Sequence, residues 1–332
     1  MRTRQLGESG LTVSVVGLGC NNFGSRMDDQ AVGPTVDAAL EAGITLFDTA
    51  DVYGNRGGSE ELLGAALRGR RDQAVIATKF GADMGDGSVA RGSRRYIRQA
   101  VEASLRRLRT DWIDLYQLHE PDPNTPLGET LAALDELVVA GKVRYIGSSN
   151  FDGWQVVEAD WIARDAHRAG FISAQNHYSL LEREVERELI PACLNCGVGV
   201  LPYFPLASGM LTGKYRRGQD IPAGTRLARV PARAEELLTA ANFDLVEALE
   251  EFARERELGL LDVAIGGLAA MPGVASVIAG ATSADQVGAN AQAGQWESSD
   301  EDLDELRALL EGREEEATAE DGDEADDEDE EG

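Results

Sequence analysis

Short apolar runs alternate along this chain with longer stretches whose apolar residues recur at helical spacing. The runs at 15–18, 44–48, 74–79, 113–118, 143–147, 172–176, 198–203 and 274–279 read as buried strands, since each is four to six residues long and bounded by turn or charged residues. Between them the pattern predicts helices over 29–42, 59–68, 93–108, 125–140, 152–168, 184–196, 240–257, 261–270 and 283–291, with a peripheral helix over 300–310. Ser93 opens one of these helices, and Gly141 and Gly197 stand just past the ends of two others. A hairpin precedes the first run, its halves split by Gly7-Glu8-Ser9-Gly10. A polar loop over 205–231 breaks the rhythm.

Eight strand–helix units predict an α/β fold, a (β/α)8 barrel over residues 1–312 with an N-terminal β-hairpin and peripheral helices. The open, doubly wound sheet is the competing architecture. Its G-x-G-x-x-G fingerprint is nearly imitated by Gly17-Leu18-Gly19-Cys20-Asn21-Asn22, but the last place holds asparagine and the acid expected after a second strand is missing in that form. The barrel fits better.

Charge then divides the chain in two. Residues 314–332 carry 13 acids and no base, which leaves −15 of the formal −28 on the rest. Segment 313–332 is thus expected to be a disordered acidic tail. The chain has three lysines (Lys79, Lys142 and Lys214) against 28 arginines. Such an acidic, lysine-poor surface suggests a halophilic protein kept soluble in concentrated salt, and it opposes binding to nucleic acid. No apolar run reaches the length of a membrane helix, the first residues do not read as a signal peptide, and three cysteines fit a reducing compartment. The expectation is a cytoplasmic protein.

Four ionisable side chains stand at the exits of three successive strands: Asp48 and Tyr53 after the second, Lys79 after the third, His119 after the fourth. In a parallel barrel all four converge on one face. Taken singly, Asp48 reads as a turn residue, Tyr53 as loop packing, Lys79 as a surface charge and His119 as a turn histidine. Their joint placement argues for a site.

The chain resembles the aldo-keto reductases over nearly its whole length. The resemblance rests on blocks in order: Asp48 to Tyr53, Ala77-Thr78-Lys79-Phe80, Leu115-Tyr116-Gln117-Leu118-His119, Gly147-Ser148-Ser149-Asn150-Phe151, Pro205-Leu206-Ala207-Ser208-Gly209, Thr212-Gly213-Lys214-Tyr215, and Ile278 through Gln286. It implies NAD(P)H-dependent reduction of an aldehyde or ketone, or oxidation of the alcohol, with Tyr53 as acid/base. Lys79 then lowers the phenol's pKa, Asp48 holds the ammonium, and His119 orients the substrate oxygen.

The resemblance also assigns the cofactor contacts. Ser149, Asn150 and Gln175 would hold the nicotinamide carboxamide, Tyr203 would stack on its ring, and Gly19, Cys20, Asn21 and Asp48 would adjoin it. Pro205, Leu206, Ala207, Ser208, Gly209 and Lys214 would clasp the pyrophosphate, and Gly280, Thr282, Gln286 and Asn290 the adenosine end. Gly280 and Gln286 stand where the aldose-reductase-like branch has a lysine and an arginine. The pattern looks like the potassium-channel β-subunit-like branch, with Lys214 and Arg226 as the phosphate cations. NADP is therefore expected, with NAD the alternative, and a small carbonyl or alcohol as the substrate. Phe204 replaces the usual serine after the stacking aromatic. A redox-sensing, NADP-binding regulatory subunit with weak turnover is the second reading that this branch allows.

Other motifs have plainer readings. Cys193 and Cys196 share redox-motif spacing but fall at a helix C-terminus and read as core cysteines, with no metal site. Asp51, Glu60 and Glu61 could suggest the paired carboxylates of a glycosidase. Glu60 and Glu61 fit a helix's first turn beneath a Ser59 cap better. His177, just past the sixth strand, reads as a supporting residue. Three histidines are too few for a metal-dependent hydrolase on this barrel.

Overall fold

The structure, a computed structural model, describes residues 1–312; the acidic segment 313–332 lies outside the described residues. Strands β1 (Thr3–Gln5) and β2 (Thr12–Ser14) pair antiparallel as the expected hairpin. Eight further strands form a single parallel sheet: β3 (Val16–Gly19), β4 (Leu46–Asp48), β5 (Val75–Phe80), β6 (Ile113–Leu118), β7 (Val143–Ser149), β8 (Phe171–Gln175), β9 (Gly199–Val200) and β10 (Val277–Gly280). Neighbours follow chain order, and β10 lies beside β3. The circle closes through bridges Val200–Val274 and Tyr203–Ile278, with the Ala275 N–H donating to the Val200 carbonyl and that of Ile278 to Pro202, both at 2.9 Å. This is the (β/α)8 barrel.

Helices cover the outside: α1 (Asp29–Glu41), α2 (Tyr53–Ala66), α3 (Arg94–Leu108), α4 (Leu127–Val139), α5 (Gly153–Asp165), α6 (Leu189–Cys196), α7 (Arg226–Arg229), α8 (Pro231–Leu237), α9 (Ala240–Glu255), α10 (Leu260–Asp262), α11 (Leu268–Ala270) and α12 (Ala284–Ala293). A π turn, Val263–Gly267, joins α10 to α11, and a helix runs over 300–312. Strands covered on both faces are buried on both faces, so they read as continuous apolar runs. Side-chain caps set the helix starts where a donor is free: Ser93 accepts from the Tyr96 N–H, Thr239 from Asn242 and Ser283 from Gln286.

The barrel interior has its own small core. Leu46, Ala77, Leu115, Leu201, Ala275 and Ile278 meet there with Leu6 and Val13. The latter two come from beside and within the hairpin, which therefore plugs the barrel end where the strands begin. Gly7 makes the fit possible. Its φ is +58°, and a Cβ would strike the backbone of Ile172, Gly197 and Gly199.

Several boundaries differ from expectation. The run at 198–203 pairs as strand only at Gly199–Val200, because the chain leaves the sheet toward the mouth and keeps single bridges there. The helix expected over 184–196 is a 3-10 turn, Glu184–Glu186, followed by α6. The polar stretch 205–231 is ordered into a tight turn, Ala207–Thr212, and the short helix α7.

Candidate active site

The mouth of the barrel is where β4, β5 and β6 deliver their last side chains. Asp48 ends β4 and pairs in register with Ala77 on β5. Ala77 faces the interior core, so Lys79, two residues on, faces the same way, one layer higher. Its ammonium lies 2.8 and 2.7 Å from the two Asp48 carboxylate oxygens, 3.1 Å from the Thr49 carbonyl and 3.4 Å from the Tyr53 hydroxyl. Gln175 of β8 donates to the same carboxylate at 2.8 Å. Thus strands β4, β5 and β8 lock one ion pair in the barrel's upper layer.

Tyr53 reaches this group from the loop after β4. Residues Gly54, Asn55 and Arg56 follow it in left-handed conformation, with φ between 60° and 68°. Two of these are not glycine, a strain of the kind that clusters at functional sites. Gly54 is required, since a Cβ there would lie 2.5 Å from the Phe23 carbonyl oxygen and the Ser59 nitrogen. His119 follows β6 and packs edge-on to the Tyr53 ring, centroids 5.7 Å apart. The four residues are therefore gathered at one point.

Their protonation follows from burial. Burial pushes the Lys79 ammonium toward neutrality, but Asp48 and Tyr53 overcome it and the pKa ends above its usual value. Tyr53 corrects an expectation. Burial raises its pKa, and the lowering by Lys79 only offsets part of that rise, so the phenol holds its proton at neutral pH. Burial, aided by the Lys79 charge, drops His119 to about 3. His119 is a neutral imidazole, and its Nδ1 is buried without a hydrogen-bond partner among the described residues.

Ser59 and Glu60 correct another expectation. Ser59 does not cap a helix: its hydroxyl is buried, 2.7 Å from that of Thr49 and donating to the Cys20 carbonyl at 2.8 Å. Glu60 is not a solvated first-turn acid. It is fully buried, accepts from the Thr78 hydroxyl at 2.6 Å and pairs with Arg107 at 2.6 Å. Beside it Asp51, buried with one oxygen unpartnered among the described residues, is raised to about 7 by burial and then by the Glu60 charge.

Above Asp48, Tyr53 and His119 opens a cavity of about 720 Å³. Gly19, Asn21, Ser149, Asn150, Gln175, Tyr203, Pro205, Leu206, Ser208, Gly209, Lys214, Arg226, Gly280, Thr282, Gln286 and Asn290 all line it. Cys20 and Ala207 do not: the Cys20 thiol is buried against the Leu18 carbonyl, and Ala207 is turned into the core. Lys79 is buried beneath the floor.

Several lining side chains already hold one another. Asn150, at φ 58°, donates to the His119 carbonyl at 2.9 Å and accepts from the Tyr203 hydroxyl at 2.8 Å. The Gln286 side-chain oxygen accepts from the Thr282 N–H at 2.8 Å. His177 lies parallel to the Tyr203 ring, centroids 5.6 Å apart. Arg226 lies over the ring of Phe204 at 4.5 Å.

The sequence reading missed Arg26, Asn22, Thr225 and Arg229, all of which line the cavity. The available signal was position: Arg26 and Asn22 lie in the loop after the first barrel strand, on the face where the other candidates converge. Among the described residues no group of histidine, cysteine and acid side chains could hold a metal, the three cysteines are unpaired, and no helix is long and apolar enough to cross a membrane.

The whole barrel matches a known family. The sequence model described as "Aldo/keto reductase family" covers residues 15–311. Among curated proteins, the chain is 43% identical to the Bacillus subtilis protein "Uncharacterized oxidoreductase YrpG", over 69% of this chain and 73% of that one. It is 36% identical to a "Probable voltage-gated potassium channel subunit beta" of Oryza sativa subsp. japonica, over 88% and 91% of the two chains. It is 35% identical to the "L-glyceraldehyde 3-phosphate reductase" of Escherichia coli (strain K12), over 88% and 87%.

Proposed function

Because the chain belongs to the aldo/keto reductase family, we propose that it reduces the carbonyl of a small aldehyde or ketone with NADPH, Tyr53 donating the proton. The observation that carries this reading is the contact of the Tyr53 hydroxyl with a buried, charged Lys79 that Asp48 holds in place, at the floor of the cavity.

The cavity suits a dinucleotide. It runs from Tyr53 and His119 to Gln286 and Asn290, with the Tyr203 ring and the amides of Asn150 and Gln175 near the catalytic end. Ser149, Asn150 and Gln175 would hold the carboxamide, Tyr203 would face the ring, and Ser208, Gly209 and Lys214 would meet the phosphates. When bound, the nicotinamide supplies the hydride.

The protein's own part is the proton and the charge. Reduction turns a carbonyl oxygen into an alkoxide, which needs a proton and positive potential as it forms. Tyr53 enters the reaction protonated, since burial holds its pKa up. The Lys79 ammonium stabilises the phenolate left behind, and Asp48 keeps that ammonium charged and aimed. His119, neutral and packed on Tyr53, orients the substrate oxygen by a hydrogen bond rather than by charge.

The test is NADPH oxidation, followed by its absorbance, with a panel of simple aldehydes and ketones. Tyr53→Phe should lower kcat by about 10²–10⁴-fold while cofactor binding persists. Undiminished turnover by that variant would remove Tyr53 as the donor. Relatives named as channel subunits favour a second reading, a cofactor-binding regulatory subunit. NADPH binding without turnover of any aldehyde in the panel would select it. The three unpaired cysteines and the acidic surface accord with a cytoplasmic protein working in high salt.

A further inference from the structure

The candidate cavity is charged against the sign of its protein. The chain holds 59 acids and 31 lysines and arginines. The cavity is lined by Arg26, Lys214, Arg226 and Arg229 and by one acid, Asp48, which Lys79 already matches. Arg26 comes from the loop after β3, and the other three come from the segment after β9. In the closed barrel these strands flank β10, so the cations reach the cavity from both sides of that strand.

Elsewhere many arginines have acidic partners, as in Arg71–Asp114, Arg107–Glu60, Arg216–Glu250 and Arg256–Asp302, while others are held without one, as Arg4 is by the carbonyls of Ala269 and Val274. Among the described residues no ion pair is formed by Arg26, Arg226 or Arg229. Arg226 lies over the Phe204 ring. Arg229 is braced by the carbonyls of Thr225 and Gly224, at 3.2 and 2.8 Å from its Nε and one Nη. The Arg229 charge presses on Arg26, and the Arg26 charge on Arg226. Like charges held close without a counter-charge repel one another. What sets these arginines apart is place: with Lys214 they line one cavity whose acid, Asp48, is already matched by Lys79, so the cavity offers net positive charge to an anionic group of a ligand.

We propose that Arg26 and Arg229 form a clamp across the cavity for an anionic group, a phosphate or carboxylate, of the bound ligand. Two sources carry that chemistry: the phosphates of the cofactor and an anionic group on the substrate. The inference rests on the cavity being the ligand site of the proposed function, and it adds recognition by two residues outside the Lys214 and Arg226 pair.

The first test needs no turnover. Inorganic pyrophosphate is titrated into the full chain by calorimetry in dilute buffer, for wild type and for Arg26→Gln/Arg229→Gln, with thermal melts confirming that both are folded. Affinity should fall at least tenfold in the variant and return in part with Arg26→Lys/Arg229→Lys. Equal affinity in wild type and the glutamine variant, or no binding to wild type, overturns the clamp. The same variants then locate the source. Weakened binding of NADPH and NADH alike assigns the clamp to the pyrophosphate, and of NADPH alone to the 2′-phosphate. Unchanged cofactor binding with a lost preference for a carboxylated over a neutral aldehyde of equal length assigns it to the substrate. No change in any of the three overturns it. A wild type that binds pyrophosphate through these arginines but reduces no carbonyl would leave the clamp standing and remove the reductase reading.

Discussion

The Lys79 ammonium is held by both carboxylate oxygens of Asp48, at 2.8 and 2.7 Å, with both side chains buried at the barrel mouth. A pair so placed depends on its partner more than on its own strength. Removing one member leaves the other charged in a dry site, which costs about 3–5 kcal/mol. Lys79→Met should destabilise by that amount in urea denaturation. Adding Asp48→Asn should recover most of the loss. Additive losses in the double variant would show that the two residues are not coupled.

Glu60 and Arg107 make the same prediction outside the cavity. Glu60 is fully buried and has Arg107 and Thr78 as partners. Arg107→Ala should cost about 3–5 kcal/mol by stranding a buried carboxylate. Glu60→Gln keeps the acceptor for Thr78 and leaves unpaired only Arg107, whose side chain is 18% exposed against 0% for Glu60, so it should cost less. The reverse order of the two melting temperatures would contradict a buried ion pair.

Asp51 gives stability a pH dependence of definite sign. Its carboxyl is raised to about 7, by burial and then by Glu60, from an unfolded value near 3.9. Between those values the folded state binds more protons than the unfolded state. This contribution is therefore fully present below about pH 4 and is lost as pH rises through 7. Asp51→Asn should remove the dependence. The melting temperature of the variant minus that of wild type, at fixed salt, should climb from pH 4 to pH 7. A flat difference would mean that Asp51 ionises normally.

His119 should be silent in the rate profile. Its pKa falls to about 3, through burial and the Lys79 charge, so imidazole stays neutral across the working range. Reduction measured as kcat/KM should show no limb near pH 6.5. Tyr53, raised by burial, should keep its proton to alkaline pH. A clear acid limb at 6–7 that vanishes in His119→Asn would show the histidine acting as a charged acid.

Salt should stabilise the protein. With 59 acids against 31 lysines and arginines, self-repulsion is strong in dilute buffer and screened at molar ionic strength. The melting temperature should rise from 0.1 M to ~2 M NaCl, where the Debye length falls below about 3 Å. Constant stability across that range would argue against a halophilic character.

The fold was legible because strand and helix periods are local properties. Runs such as Ile113–Leu118 and the spacing between them belong to single segments of chain. So do the strand ends, which is why Asp48, Tyr53, Lys79 and His119 could be named together from the pattern alone. What needed the closed barrel was every relation between segments far apart. The Gln175 amide reaches Asp48 across 127 residues of sequence, and Arg26 and Arg229 line one cavity only because β3 and β9 flank β10. Glu60 reads as a surface acid on its own helix and becomes a buried one because Thr78 and Arg107 come to it. The Tyr53 pKa turned on the same distinction. A neighbouring lysine is visible in the sequence, whereas the depth of burial that outweighs it belongs to the tertiary structure.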